Sequence, residues 1–141
     1  MTKHLSKFFC CIVLSLSAST LFAETESLSK ALNAQVSVSG QMTTDKFKSL
    51  IQDGFKSVIV NRPDQETGNR VTVNELRQMA EQAHVSVMYQ PVTSGQISQA
   101  DVKEFAKYYN ELPKPILMVC RSGSRSSALY NQAKTQGLLH E

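Results

Sequence analysis

Cysteine is scarce in this sequence, since only Cys10, Cys11 and Cys120 occur among 141 residues. Cys10 and Cys11 lie in an N-terminal segment that its residue pattern marks for removal. The remaining chain then holds one thiol and cannot form an internal disulfide bond. One cysteine with His84 and His140 also lacks the spacing of metal ligands, so we expect no metal site and no cofactor. Exported proteins reach an oxidising compartment, so a single thiol retained in such a protein favours a chemical role for Cys120.

Long apolar runs are missing as well. The run from Phe8 to Leu16 is shorter than the ~20 residues of a membrane-spanning helix. It follows Lys3 and Lys7 and leads through small residues to Ala23, which is typical of a secretory signal peptide. We predict a signal peptide over residues 1–23, a periplasmic or secreted protein without stable membrane association, and one catalytic domain over residues 24–141. The alternative for the first segment is an N-terminal membrane anchor.

The chain has no large excess of charge. Its formal net charge is +3, and removal of Lys3 and Lys7 leaves basic and acidic side chains nearly balanced. No basic stripe with interleaved aromatic residues is present, and we therefore expect no nucleic-acid partner. Internal repeats and low-complexity segments are absent too. The length after cleavage suits a single domain with one core.

The most informative stretch that is present runs from Cys120 to Ser126. The apolar run Ile116–Val119 precedes it, and a helix-like segment follows. A short loop that opens a helix directs backbone N–H groups and the helix dipole toward one point, which favours a bound anion. Gly123 lets the chain turn, Arg125 can hold two oxygens of an anion, and the other anion-binding residues are Arg121, Ser122 and Ser124. These donors are expected to lower the pKa of the Cys120 thiol.

Apolar patterns elsewhere predict strands that alternate with helices. Gln65–Arg70 is interpreted as a polar loop, and Glu24–Leu32 as loosely ordered. The alternation predicts an α/β fold, with a largely parallel sheet flanked by helices. In such sheets the loops after the strands bind ligands, here Asn61–Asp64, Pro91–Gly95 and the Cys120 loop. The predicted strands lie around 36–38, 57–60, 85–89 and 116–119. One predicted helix begins at residue 72, and the others lie around 45–53, 98–110 and 126–136.

Four segments together resemble a known family, the beta-lactamase-hydrolase-like, phosphatase-like family, whose members are also called sulfurtransferases. They are Val36–Gln41, Val58–Asp64, Pro91–Gln96 and Cys120–Ser126. The resemblance covers nearly all of residues 24–141 and implies the single-domain fold of dual-specificity protein phosphatases. It also implies that Cys120 is the nucleophile, Arg125 the anion clamp and Ser126 the hydroxyl beside the thiolate.

The sequence departs from the phosphatase pattern around the nucleophile. Cys120 and Arg125 are separated by one residue fewer than in tyrosine phosphatases, and Val119 replaces their histidine. Thr93–Gly95 stands where they carry an aspartic acid that protonates the leaving group. Asp64 is the nearest substitute, although a role in capping or turning the chain after Pro63 explains it better. Arg62 either leans toward the anion or lies in an ion pair.

These departures favour sulfur transfer. The Cys-Arg-x-Gly-x-Arg-Ser pattern is also similar to the loop of rhodanese-type sulfurtransferases. We expect the Cys120 thiolate to take sulfur from a small anionic donor, form a persulfide and pass the sulfur to a thiol acceptor. The first alternative is a phosphatase that hydrolyses phosphate esters through a phosphocysteine. The second is a module that binds anions or exchanges thiols without catalysis.

Overall fold

The structure is a computed structural model, and it describes residues 27–141. The signal peptide predicted for residues 1–23 lies outside the described residues. The elements follow in the order β1 (Lys30–Ala31), β2 (Val36–Ser39), α1 (Thr44–Gln52), β3 (Ser57–Val60), α2 (Val73–Gln82), β4 (Ser86–Tyr89), α3 (Gln99–Glu111), β5 (Ile116–Val119) and α4 (Ser124–Thr135).

The strands form one sheet in the order β1-β2-β5-β3-β4. The β2, β5, β3 and β4 strands run parallel, and β1 pairs antiparallel with β2. The β5 strand therefore lies at the centre of the sheet with a parallel neighbour on each side. This confirms the predicted α/β fold with a largely parallel sheet flanked by helices. In the part of the chain that is described, no helix is both long and apolar enough to span a membrane.

Both faces of the sheet are buried, and β5 shows how the sequence achieves this. Ile116 and Met118 pack into one cluster with buried residues of α3 and α4. Leu117 and Val119 pack into another cluster with buried residues of α1 and α2. Because successive side chains of a strand point to opposite faces, a strand covered on both faces is apolar throughout.

Capping side chains fix the starts of α2 and α3. Thr72 and Glu75 form a reciprocal capping box on α2, and Ser98 and Asp101 form one on α3. In each pair the hydroxyl of the capping residue accepts a hydrogen bond from the backbone N–H of the acidic residue. The acidic side chain in turn accepts a hydrogen bond from the backbone N–H of the capping residue. These local signals are independent of the rest of the fold.

Two predictions of local structure were wrong. The last helix begins at Ser124 rather than Ser126 and ends at Thr135, because Gly123 occupies the position before it with a left-handed φ of 88°. The segment interpreted as loosely ordered contains β1, in which Lys30 pairs with Val38. A strand of two residues has too little pattern to be recognised, because it exists through its pairing with β2.

Candidate active site

The cysteine loop, Cys120–Ser126, connects the central strand β5 to the N-terminus of α4. Gly123 has no side chain to cap the helix, and the Ser124 N–H at the start of α4 donates to Ser122 Oγ at 3.5 Å. The loop packs closely on the end of β2. A Cβ atom on Gly40 would lie 3.0 Å from the Arg121 carbonyl oxygen and 3.2 Å from Ser122 Cα. A side chain at position 40 would require the loop to shift by a few tenths of an ångström, so glycine favours this close approach to β2.

Cys120 is buried, and hydrogen bonds converge on its sulfur. Its N–H donates to the Ser39 carbonyl at 3.1 Å, and the Gly123 N–H donates to its Sγ at 3.0 Å. Burial raises the pKa of the thiol, but hydrogen bonds from the backbone and hydroxyl of Ser126 and from the backbone of Ser122 and Gly123 outweigh it. The pKa of Cys120 therefore lies below its ordinary value. The loop favours the thiolate, which is the nucleophilic form.

Ser126 lies between the thiol and Asn61. Its hydroxyl donates to Asn61 Oδ1 at 2.8 Å, and Asn61 Nδ2 donates to the Gln90 carbonyl at 3.2 Å. The same hydroxyl is close enough to the thiol to lower the pKa of Cys120. A hydroxyl has one proton to donate, so Asn61 and the Cys120 thiolate compete for it. Sequence reasoning did not single out Asn61, whose only signal was its place directly after β3.

Arg125 is 7% exposed, and the surrounding backbone fixes its guanidinium. Its Nη1 donates to the Val92 carbonyl at 2.9 Å, and its Nη2 donates to Glu66 Oε1 at 3.1 Å. Its Nε is buried and has no hydrogen-bond partner. An unpaired buried donor is costly, and a charged one more so. Arg125 also lines the cavity beside Cys120, where its guanidinium can bind an oxyanion.

Glu66 joins two of the three arginines that the sequence analysis proposed for the site, Arg62 and Arg125. Its Oε2 lies 2.9 Å from Arg125 Nη2, and its Oε1 lies 3.1 Å from Arg62 Nε. Arg62 also donates to the Thr67 carbonyl at 2.9 Å. The hydrogen bond from Arg125 outweighs burial, and with the charges of both arginines it holds the pKa of Glu66 below its usual range. Sequence reasoning missed Glu66, although it lies four residues after Arg62, in the loop interpreted as polar.

Asp64 makes contacts that organise the chain around α2. Its Oδ1 accepts the Val73 N–H at 2.9 Å, its own N–H donates to the Tyr89 hydroxyl at 2.9 Å, and its carbonyl accepts from Asn69. Neither Asp64 nor Arg62 lines the cavity beside Cys120. The structure thus gives Asp64 the geometry of a turn that caps the start of α2.

The cavity beside Cys120 has a volume of about 460 Å³. Cys120 and Arg125 lie in its buried part, and the exposed residues Arg121, Ser122 and Ser124 line it as well. The loop after β4 completes the wall through Ser94, Gly95 and Ile97. Among the described residues, two arginines and no carboxylate line this cavity, which suits a small anion. Within residues 27–141 no group of three or more metal-ligating side chains occurs.

Comparisons with known proteins agree with this geometry. Residues 29–137 match the family described as beta-lactamase hydrolase-like protein, phosphatase-like domain. Beta-lactamase hydrolase-like proteins of Xylella fastidiosa strain Temecula1 and Agrobacterium fabrum are each 30% identical over 99 residues, which cover 70% of this chain. The match spans only 23% of those relatives, so the chain covers about a quarter of their length.

Solved structures show the same fold. A candidate phosphatase from Neisseria meningitidis Z2491 is 31% identical, with a TM-score of 0.70 and 77% of each chain covered. The catalytic domain of the PP-IP phosphatase SIW14 from S. cerevisiae superposes with a TM-score of 0.62 at 15% identity, over 77% of this chain and 65% of that one. From the match over residues 29–137, the chain belongs to the family of beta-lactamase hydrolase-like, phosphatase-like domains.

Proposed function

We propose that this protein is a cysteine-dependent phosphatase that hydrolyses phosphate monoesters. Membership of a phosphatase-like family and similarity to phosphatase structures support hydrolysis better than the sulfur transfer that the sequence favoured. The observation that carries the proposal is the pairing of two groups in one cavity. A thiol with a lowered pKa lies there with Arg125, whose buried Nε lacks a partner.

The reaction would proceed in two displacements at phosphorus. The Cys120 thiolate attacks the phosphorus, an S–P bond forms, and the ester oxygen leaves with the electrons of the broken P–O bond and takes a proton from water. A water molecule then attacks the phosphocysteine, the P–S bond breaks, and inorganic phosphate and the thiolate are released. Arg125 and the N–H groups of the cysteine loop would hold the phosphoryl oxygens through both steps.

The leaving group is expected to determine which esters react. Within the described part of the chain no carboxylic acid lines the cavity beside Cys120, and Asp64 is hydrogen-bonded to the start of α2. General acid catalysis contributes roughly 10²- to 10⁴-fold to such reactions. We therefore expect aryl phosphates, whose oxygens leave readily, to react much faster than simple alkyl phosphates.

The test measures phosphate release from an aryl phosphate by wild type, Cys120→Ser and Arg125→Lys. We expect Cys120→Ser to be inactive and Arg125→Lys to lose most activity, because lysine lacks the planar fork. Rapid acid quenching with a labelled phosphate ester should trap phosphate on Cys120. Phosphate release that persists in Cys120→Ser would refute the proposal. A reactive thiol with no turnover of any ester or sulfur donor would instead favour a non-catalytic anion-binding or thiol-redox module.

Sulfur transfer remains the second candidate because no carboxylic acid of the described residues lines the cavity beside Cys120. Sulfite is a leaving group that needs no proton. In this reaction the Cys120 thiolate attacks the outer sulfur of thiosulfate, the S–S bond breaks, and sulfite departs with the electron pair, which leaves a persulfide on Cys120. Incubation with thiosulfate followed by mass spectrometry should then show Cys120 carrying one added sulfur atom. Release of that sulfur to a thiol acceptor, without phosphate release from aryl phosphates, would place this activity first.

We also propose that the protein is exported and that residues 24–141 form its catalytic domain. The basic start, the short apolar run and the small residues up to Ala23 support cleavage there. The family match begins at residue 29, beyond the proposed cleavage site. N-terminal sequencing of the protein from a periplasmic fraction tests this, with Glu24 as the expected first residue. An uncleaved Met1 in a membrane fraction would contradict it.

A further inference from the structure

A second, larger cavity of about 910 Å³ adjoins the cavity beside Cys120. We call it the lysine cavity, after Lys30 and Lys46 in its wall. Ser122, Ser124 and Ala128 line both cavities, so the cysteine loop and the first turns of α4 form a shared wall. A molecule bound over this wall could occupy both spaces at once.

The wall of the lysine cavity carries positive charge and hydroxyl groups. Lys30 and Lys46 contribute the charge, no aspartate or glutamate of residues 27–141 lines the cavity, and several serines and an asparagine supply further hydrogen-bonding groups. The cavity also borders Gly123, where the α4 helix begins. Lysine side chains, serine hydroxyls and a helix N-terminus are together suited to a bound phosphate or carboxylate.

Lys46 is the less exposed of the two amines. Its Nζ donates to the Gln41 carbonyl at 3.1 Å, and among residues 27–141 it has no carboxylate partner within ion-pair distance. Burial lowers the pKa of this amine. An ammonium group that is partly desolvated and lacks a counter-charge gains more from a bound anion than a fully solvated one does.

We propose that the lysine cavity is a second anion subsite, which binds a further anionic group of the substrate while its phosphoryl group lies against Cys120. The substrate class would be small phosphate monoesters that carry a second phosphate. This inference rests on the proposed phosphatase activity, because it assigns the substrate's second group to a place beside the same loop. The volume of the lysine cavity lies in the range of small-molecule sites, which is about 300–1,000 Å³.

The kinetic test compares an aryl monophosphate with an aryl bisphosphate of the same scaffold. The variants are Lys30→Gln, Lys46→Gln and both together. The control is Lys48→Gln, which removes an exposed lysine from the same α1 helix on the side of a different cavity. We expect the ratio of kcat/KM for bisphosphate over monophosphate to fall roughly tenfold in the double variant, as loss of charged hydrogen bonds predicts. The Lys48→Gln ratio should stay near that of wild type. A ratio that is unchanged in the double variant, or that falls equally in Lys48→Gln, would overturn the subsite.

An equilibrium measurement separates this inference from the proposed activity. Calorimetry of the Cys120→Ser protein measures its affinity for the bisphosphate and for the monophosphate without turnover. The bisphosphate should bind more tightly, and addition of Lys30→Gln and Lys46→Gln should remove most of that advantage. If wild type hydrolyses neither ester but this difference is observed, the proposed function fails and the subsite stands. Equal affinity for both probes in Cys120→Ser would overturn the subsite whatever the activity.

Discussion

Glu66 Oε2 lies 2.9 Å from Arg125 Nη2, although the two residues are 59 positions apart in the chain. The carboxylate holds the outer edge of the guanidinium, and the Val92 carbonyl holds Nη1. Nε is the donor that these contacts leave unpaired. We therefore expect Glu66 to fix the direction from which Arg125 can approach an anion, as a positioning residue.

The first prediction concerns the charge of Glu66. Glu66→Gln keeps the volume but removes the charge that orients Arg125, so kcat/KM for an aryl phosphate should fall roughly tenfold, the loss expected for one charged hydrogen bond. Inhibition by inorganic phosphate should weaken in parallel, because the same guanidinium would bind it. Glu66→Asp should recover part of the loss. The control is Glu81→Gln, at an exposed position of α2; equal activity in Glu66→Gln and Glu81→Gln would contradict the positioning role.

The second prediction concerns the ionisation of Cys120. The rate of alkylation by iodoacetamide, measured against pH, should have a midpoint below that of a free thiol, because hydrogen bonds to Sγ outweigh burial. Ser126→Ala removes one of these donors and should raise the midpoint. A depressed pKa also stabilises the fold above the pKa of the unfolded thiol, and this contribution is lost as the pH falls through the folded pKa. The same alkylation profile in wild type and Ser126→Ala would show that the hydroxyl does not act on the thiol.

The third prediction follows from the competition for the Ser126 proton. Asn61→Ala removes the acceptor at 2.8 Å and leaves the hydroxyl free to donate to the thiolate. The alkylation midpoint of Cys120 should therefore fall in Asn61→Ala, opposite to the change in Ser126→Ala. The double variant Asn61→Ala with Ser126→Ala should match Ser126→Ala alone. A midpoint that rises in Asn61→Ala would mean that Asn61 orients the hydroxyl toward the sulfur instead of competing with it.

The fourth prediction assigns Asp64 to stability. Asp64→Ala breaks the hydrogen bond with the Val73 N–H and should lower the free energy of unfolding by about 1–2 kcal/mol. Urea unfolding followed by circular dichroism measures this, with the exposed neighbour Gln65→Ala as the control. Asp64→Asn retains a side-chain oxygen and should cost less. A loss of kcat on aryl phosphates in Asp64→Asn, with stability unchanged, would instead identify Asp64 as a general acid.

Much of the fold could be predicted because its signals are local. The apolar run of β5 and the capping boxes at Thr72 and Ser98 each lie within a few residues. The start of α4 was misplaced because a glycine in the left-handed region, rather than a serine, precedes it. The β1 strand was missed because only its partner β2 makes it a strand.

The residues of the site also divide into those that a local sequence signal predicts and those that only folding brings together. Cys120, Gly123 and Arg125 lie in one short segment, and their shared loop could be predicted from spacing alone. Glu66 and Asn61 reach the site from the loop after β3, and their contacts with Arg125 and Ser126 exist only in the folded chain. A polar residue in a polar loop gives no sequence signal of such long-range pairing.

The central position of β5 has a consequence for how the protein loses activity. The Cys120 N–H is bonded to the Ser39 carbonyl, and the Asn61 N–H is bonded to the Val119 carbonyl at 2.8 Å. The strand before Cys120 is thus joined on both edges, in the part of a domain that usually opens only when the whole domain unfolds. We therefore expect hydrogen–deuterium exchange at the Cys120 amide to require global unfolding. A partly unfolded form that keeps the sheet would keep Cys120 in place, even where the loop that carries Glu66 has opened.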